Sequence, residues 1–322
     1  MPKRKTGVRI SAVQLPTIIA GRSFAEKQQR NRDQIGEMLR RAHERSSDLT
    51  LFGEYANLHH RTWSRNRREY VPDPIPGSFT QMVGRLARRY GMNVAMPMFG
   101  TYRGVLSSWV VLFDRSGKIS DAYQKSHPTL DEQRIGIRAG DDLPVYEFDF
   151  GKVGIMTCMD IEYPEVAQVL MLRGADLLLF PHVQASWGEP DWEVRYRARA
   201  VDTGLYVVSA CYGYEEGEWI PGKMIGRTSV VGRDGLIMRD LGRAIDILTV
   251  DLDLSRKRLT EFYFPKKYDR TLAVAASRRS ELYGDLVNPE FKQVALRRLG
   301  LAKNPLVRRR AAIPSGRKST PR

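Results

Sequence analysis

The stretch Val153-Gly-Ile-Met-Thr-Cys158-Met-Asp-Ile-Glu-Tyr-Pro-Glu165, continuing to Leu172-Arg-Gly-Ala-Asp-Leu-Leu-Leu-Phe-Pro181, holds a complete strand–helix–strand unit. Val153–Thr157 is a short apolar run that predicts a buried strand. The helix that follows carries Val166, Val169 and Leu170 on its buried side and stops near Gly174. Asp176–Phe180 is a second buried strand, too short and too apolar to be a surface helix. Two such strands joined through a helix form a parallel unit, which points to a layered α/β domain. Cys158 stands where the first strand gives way to the helix.

The same alternation extends on both sides. Upstream, Val8–Leu15 predicts a strand, and Ile35, Met38, Leu39 and Ala42 recur at helical spacing. Asp48–Gly53 predicts a strand that runs straight into Glu54. Ser78 and Gln81 are read as a capping box for a helix bearing Phe79, Met82, Val83, Leu86 and Tyr90, which Gly91 ends. Asn93–Phe99 and Val105–Phe113 predict strands. Downstream, a helix is expected over Asp191–Thr203, then a strand over Tyr206–Ala210. Ile225–Val231 and Leu236–Asp240 flank the turn Gly232-Arg-Asp-Gly235 as a hairpin, and Ile245–Asp251 is the last strand. From about Phe264 the pattern is lost. The expected division is therefore one layered domain over 7–264 and a C-terminal extension over 265–322.

Composition narrows the function. No run approaches the roughly 18 uncharged apolar residues of a membrane helix, and no apolar core follows the basic start Met1–Lys5, so a cytoplasmic protein is the expectation. Two cysteines, Cys158 and Cys211, are too few for a disulfide scaffold. The five histidines make no zinc spacing with them, so no metal is expected. The net charge is +15, and eleven of those charges sit in the ends. Seven basic residues and no acid fall in the last 22 positions, four and none in the first ten. Such ends can bind nucleic acid, but no aromatic residue interleaves with the tail bases, which favours a solvated segment. Gly217-Glu-Trp-Ile-Pro-Gly222-Lys223 imitates a phosphate loop, yet Met224 replaces the magnesium-ligating Ser or Thr and no helix follows.

Three polar residues stand at strand exits: Glu54 after Leu-Thr-Leu-Phe-Gly53, Lys125 after Asp121-Ala-Tyr-Gln124, and Cys158. Strand ends are where α/β sheets build active sites. A thiol with a pKa of about 8.5 needs a base to become a nucleophile. A tuned Glu can be that base, and a fixed ammonium can hold the oxyanion that follows attack on a carbonyl. Taken singly, a Cys after a strand is more often a core residue, and a Glu or Lys there is more often surface.

The strings around the three residues resemble the nitrilase superfamily of carbon–nitrogen hydrolases. Gly154–Glu165 through Pro181 is similar to its nucleophile region. Tyr123-Gln-Lys125-Ser-His127 is similar to its lysine motif. Phe52-Gly-Glu54 is similar to its base region, with Gly53 where the family usually has Pro. Val13-Gln14, Arg197-Ala-Arg-Ala200, Gly226-Arg-Thr-Ser229 and Val250-Asp-Leu-Asp253 follow in the family's order, so the resemblance covers about residues 8–255. It implies a four-layer α-β-β-α sandwich and a Glu-Lys-Cys triad of Glu54, Lys125 and Cys158. It further implies a second glutamate, Glu132 with Asp131 as competitor, that helps place water, and an oxyanion N–H from Met159. Met159-Asp160 in place of the Trp-Glu of true nitrilases implies a small-molecule amide substrate. An N-carbamoyl amine or amino acid is the nearest rival, and a silent binding protein using its basic ends the more distant one. Tyr55, Glu162, Tyr163, His182 and Trp187 are candidate pocket walls by proximity, and Glu162 is equally a helix-start glutamate. A homodimer or larger homo-oligomer is implied by the resemblance alone.

Overall fold

Strand alternation here gives every central strand two apolar faces. On the first strand, β1 (Gly7–Pro16), Val8, Ile10 and Ala12 point one way while Val13 and Leu15 point the other, and all are buried. A sheet made of such strands must be covered on both sides. The computed structural model describes residues 7–17, 21–58, 72–185, 188–221, 224–255 and 269–300.

The strands form two sheets. The first contains β1, β2 (Leu49–Leu51), β3 (Asp73–Ile75), β4 (Asn93–Tyr102), β5 (Val105–Phe113), β6 (Ile119–Gln124), β11 (Tyr212–Gly213) and β14 (Asp246–Asp253). The second contains β7 (Val145–Glu147), β8 (Lys152–Ile155), β9 (Leu177–Pro181), β10 (Tyr206–Ala210), β12 (Ser229–Val231) and β13 (Ile237–Asp240). Parallel pairs β1·β2, β2·β4, β8·β9 and β9·β10 form the centres, and antiparallel strands close the flanks.

Three apolar layers show how the sheets stack. Ile10, Leu51, Val110 and Leu112 of the first sheet meet Val153, Ile155, Leu177 and Leu179 of the second. The opposite face of the first sheet packs on α1 (Phe24–Glu44) and α2 (Ser78–Tyr90) through Ile35, Leu39, Phe79 and Val83. The outer face of the second packs on α4 (Pro164–Leu172) and α5 (Glu189–Thr203) through Leu170, Trp192 and Tyr196. The order is helix, sheet, sheet, helix, a four-layer α-β-β-α sandwich. Gly154 shows how tight the last layer is: a Cβ there would come within 2.8 Å of the Leu178 side chain and 3.1 Å of Leu170.

Several local expectations need correction. The cap of α2 is Gly77, not Ser78, and Thr80 closes it by accepting the Gly77 N–H at 2.7 Å. The strand expected over Ile225–Val231 is confined to Ser229–Val231. Beyond the sandwich, the extension carries α6 (Arg270–Ala276), α7 (Gly284–Val287) and α8 (Pro289–Arg298). Thr271 and Arg270 donate to the Thr203 and Val201 carbonyls, so α6 is fastened to the end of α5. The basic tail beyond 300 lies outside the described residues, as do His59, His60 and Trp187. Among the described residues no helix is long and apolar enough to cross a membrane.

Candidate active site

Glu54, Lys125 and Cys158 converge at one end of the seam between the sheets. Glu54 follows β2, Lys125 follows β6, and Cys158 follows β8 on the facing sheet. Each is fixed by its backbone. Tyr212 Oη donates to the Glu54 carbonyl at 2.6 Å, and Asn31 from α1 donates to the Ala56 carbonyl at 2.9 Å. Lys125 N–H donates to Ser108 O and Lys125 O accepts from Gly140, both at 2.9 Å. Cys158 opens a short 3₁₀ turn (Cys158–Glu162) with φ +47°. Tyr55, directly after Glu54, has φ +59°. Non-glycine residues in this left-handed region are strained, and such strain gathers where a side chain must be aimed at a ligand.

The charges form one buried cluster. Lys125 Nζ lies 2.8 Å from Glu54 Oε1 and 2.9 and 3.0 Å from the two oxygens of Glu132, with Lys125 only 1% exposed and Glu54 not at all. Burial raises the Glu54 pKa to about 7, with Lys125 opposing and Glu132 adding to the rise. Burial pulls Lys125 down, but Glu54, Cys158 and Glu132 outweigh it and hold the ammonium charged. Burial and then the Glu54 carboxylate push the Cys158 thiol well above the ordinary cysteine value, against Lys125. The thiol is therefore protonated at rest, and the group beside it with a pKa near neutrality is Glu54. Its Oε2 is buried and takes no N–H or O–H donor among the described residues, and the hydrogen-bonding group that acts on this carboxyl besides Lys125 is the thiol. This arrangement suits general-base removal of the thiol proton better than a standing thiolate.

Glu132, not Asp131, belongs to the cluster. Thr129-Leu-Asp-Glu132 is a capping box at the start of α3 (Leu130–Arg134): Glu132 N–H donates to Thr129 Oγ1, and Glu132 Oε2 accepts from Thr129 N–H. The Asp131 side chain is 81% exposed and pairs with Arg134. Glu132 also accepts from Tyr55 Oη. Its two oxygens are thus taken by Lys125, Tyr55 and Thr129, which makes Glu132 an anchor for the ammonium. The donors from Lys125, Tyr55 and Thr129 hold this carboxylate in place against the ammonium.

The other expected pocket residues separate. Tyr55 lies beneath the cluster through Glu132. The Glu162 carboxylate is engaged by Arg195 of α5, not free to face a substrate. Tyr163 is partly exposed and stacks on His127 at 4.0 Å. His182 is fully buried between Phe180 and Trp192, and burial drops its pKa to about 3, so it is a neutral core ring. Cys211 is buried in the outer apolar layer, its thiol pushed up to about 12. Met159 N–H lies in the first turn of the 3₁₀ segment, where backbone N–H groups have no partner within the helix.

Gly53 has a local cause. A Cβ there would sit 3.1 Å from both the Cys211 carbonyl and the Tyr212 ring, and Tyr212 is the residue that holds Glu54 from behind. The remaining motif residues are braces. Arg199 donates to the Ile161 carbonyl at 2.7 Å, bolting α5 to the turn that Cys158 opens. Gln14 donates to Gly242 and Ala244 carbonyls and accepts from Thr228 N–H, and Thr228 in turn accepts the Cys211 N–H.

Asp160 was missed as a site residue. It is fully buried and accepts from Thr157 N–H, Tyr123 Oη, Ser126 Oγ, His127 N–H and His127 Nδ1. Burial opposes its charge, yet the donors from His127, Thr157 and Tyr123 prevail and keep its pKa below the usual aspartate value. The available signal was its place two residues past the nucleophile.

Comparison with known proteins agrees with this geometry. The chain is 27% identical over 216 residues to a probable nitrilase of Schizosaccharomyces pombe, covering 61% of this chain and 75% of that one. It is 27% identical over 235 residues to the omega-amidase NIT2 of Bos taurus, covering 67% and 79%. Its fold superposes on a carbon–nitrogen hydrolase from Helicobacter pylori with a TM-score of 0.71 at 20% identity, over 88% of this chain and 99% of that one. The family model described as carbon–nitrogen hydrolase matches residues 9–262, a span that contains Glu54, Lys125, Glu132 and Cys158, and the chain belongs to the carbon–nitrogen hydrolase family.

Proposed function

We propose that this hydrolase cleaves the carbon–nitrogen bond of a small amide, giving a carboxylic acid and ammonia through a thioester on Cys158. The observation that carries this reading is the buried cluster: a carboxyl with a pKa near 7 beside a protonated thiol, both against a fixed ammonium. Glu54 takes the thiol proton as sulfur attacks the amide carbon, and the carbonyl electron pair moves onto oxygen. An N–H of Lys125 aimed between the two Glu132 oxygens serves both, and a second serves Glu54. The third is then left for the oxyanion, together with Met159 N–H. Glu54 returns the proton to the nitrogen, and ammonia leaves as the C–N bond breaks. Water then gives a proton to Glu54 and attacks the thioester. The C–S bond breaks and the thiol regains its proton.

The name of the omega-amidase relative also supports an amide. The test is ammonia release by the purified full chain over a panel of amides, carbamoyl amines and nitriles, with Cys158→Ala as control. Amides should release ammonia, and a quenched reaction should show Cys158 acylated by mass spectrometry. Equal turnover by Cys158→Ala, or carbon dioxide release confined to carbamoyl amines, would overturn the proposal.

A further inference from the structure

We infer that Asp160, with His127, is a positioning strap that sets the distance between the nucleophile and the oxyanion lysine across the seam of the two sheets. This rests on the roles proposed above for Cys158 and Lys125. The two residues follow strands of different sheets: Lys125 follows β6 of the first, and Cys158 follows β8 of the second. No strand pairing connects β6 to β8, so their relative placement depends on side chains. Asp160 supplies the connection. Oδ2 accepts from Thr157 N–H at 2.8 Å, next to Cys158, and from Tyr123 Oη at 2.7 Å, two residues before Lys125. Oδ1 accepts from Ser126 Oγ at 3.0 Å and from His127 N–H and Nδ1, each at 2.9 Å, just after Lys125. One buried carboxylate thus grips the residues on both sides of the lysine and the residue before the cysteine.

The chemistry makes the strap specific. All five partners donate, which only an ionised carboxylate can satisfy on both oxygens at once. An amide at this position turns one oxygen into a donor, so at least two donors would face an N–H₂ group, whichever way it flips. His127 is the strap's outer member. It is partly exposed and stacked on Tyr163, so it can be changed without opening the core. Neither residue touches the reacting atoms. The strap acts through Lys125 and Cys158, and a small change in their separation is felt in turnover more than in substrate binding.

The experiment pairs turnover with a substrate-free probe. Wild type, Asp160→Asn, His127→Ala and His127→Asn are compared for kcat and KM on the best amide, and for the rate of Cys158 alkylation by iodoacetamide, with folding checked by circular dichroism. Asparagine at 127 keeps an N–H near the place of Nδ1 and should stay within ~3-fold of wild type, whereas alanine should lose ~10-fold or more in kcat with KM little changed. Asp160→Asn should lose ~10²-fold in kcat and also slow alkylation. Identical behaviour of the two His127 variants, or wild-type alkylation in folded Asp160→Asn, would overturn the strap. If Asp160→Asn does not fold, the His127 pair alone decides. If wild type hydrolyses nothing on the panel, the proposed function fails, while the alkylation rates still decide the strap.

Discussion

Lys125→Arg should fail nearly as badly as Lys125→Ala, because the site has room for one compact ammonium and nothing larger. Lys125 is 1% exposed and its Nζ is held at 2.8–3.0 Å by three carboxylate oxygens from two glutamates. A planar guanidinium is longer and forked, and it cannot address two carboxylates and an oxyanion from one point. Two losses follow for the alanine variant. Removal of one oxyanion donor typically costs ~10²–10³ in rate. Removal of the cation also leaves Glu54 and Glu132 buried without a countercharge, which costs about 3–5 kcal/mol if they stay ionised. They will not stay ionised: without Lys125 to oppose burial, the Glu54 pKa rises further and the base form at neutral pH becomes scarcer. Ammonia release should therefore fall by at least ~10³, the two effects overlapping because they share one residue. Cys158 alkylation by iodoacetamide forms no oxyanion, but it loses both the base and the lysine charge that favours the thiolate, so it should fall too, by less than turnover does. Turnover of Lys125→Arg within ~10-fold of wild type, or unchanged alkylation in Lys125→Ala, would refute the assignment of the lysine as the fixed charge.

Glu54 carries a pH signature. Its base form grows as pH rises through about 7, so the alkylation rate of Cys158 should climb through that pH, and Glu54→Gln should abolish this limb. The same shift, upward from 4.5, means that the stability contributed by Glu54 is fully present below 4.5 and lost as pH rises through about 7, so melting of Glu54→Gln should vary less with pH over that window. Cys211→Ala should keep most activity and lose about 1 kcal/mol of stability, because its buried thiol fills the outer apolar layer; loss of turnover equal to that of Cys158→Ala, with the fold intact, would contradict this. Tyr55→Phe removes the hydroxyl donor to Glu132 while leaving the ring on Phe99, so kcat should drop ~10-fold with KM steady; a rise in KM alone would place Tyr55 against substrate instead.

What the sequence disclosed and what it withheld divide along one physical line. The four layers were legible because burial on both faces of β1, β8 and β9 writes continuous apolar runs, and helix contact writes the spacing of Ile35, Met38, Leu39 and Ala42. Glu54, Lys125 and Cys158 were legible because each ends a strand within a recognisable string. Glu132 was decidable over Asp131 locally, since Thr129-x-x-Glu132 is a cap whose glutamate must turn back toward its own helix start. Residues whose partners lie far along the chain were not legible. Glu162 looked available as a pocket carboxylate because nothing nearby neutralises it, and its partner, Arg195, arrives from the next helix. His182 beside a motif looked like a pocket wall, but its neighbour Trp192 comes from α5 and closes over it. Asp160 drew notice only for standing beside Met159, although four of its five donors come from residues 123–127 at the end of β6 and just beyond it. A carboxylate's role is set by the donors that face it. In a fold whose active site straddles two separately hydrogen-bonded sheets, those donors reach it across the seam, where no local pattern can record them.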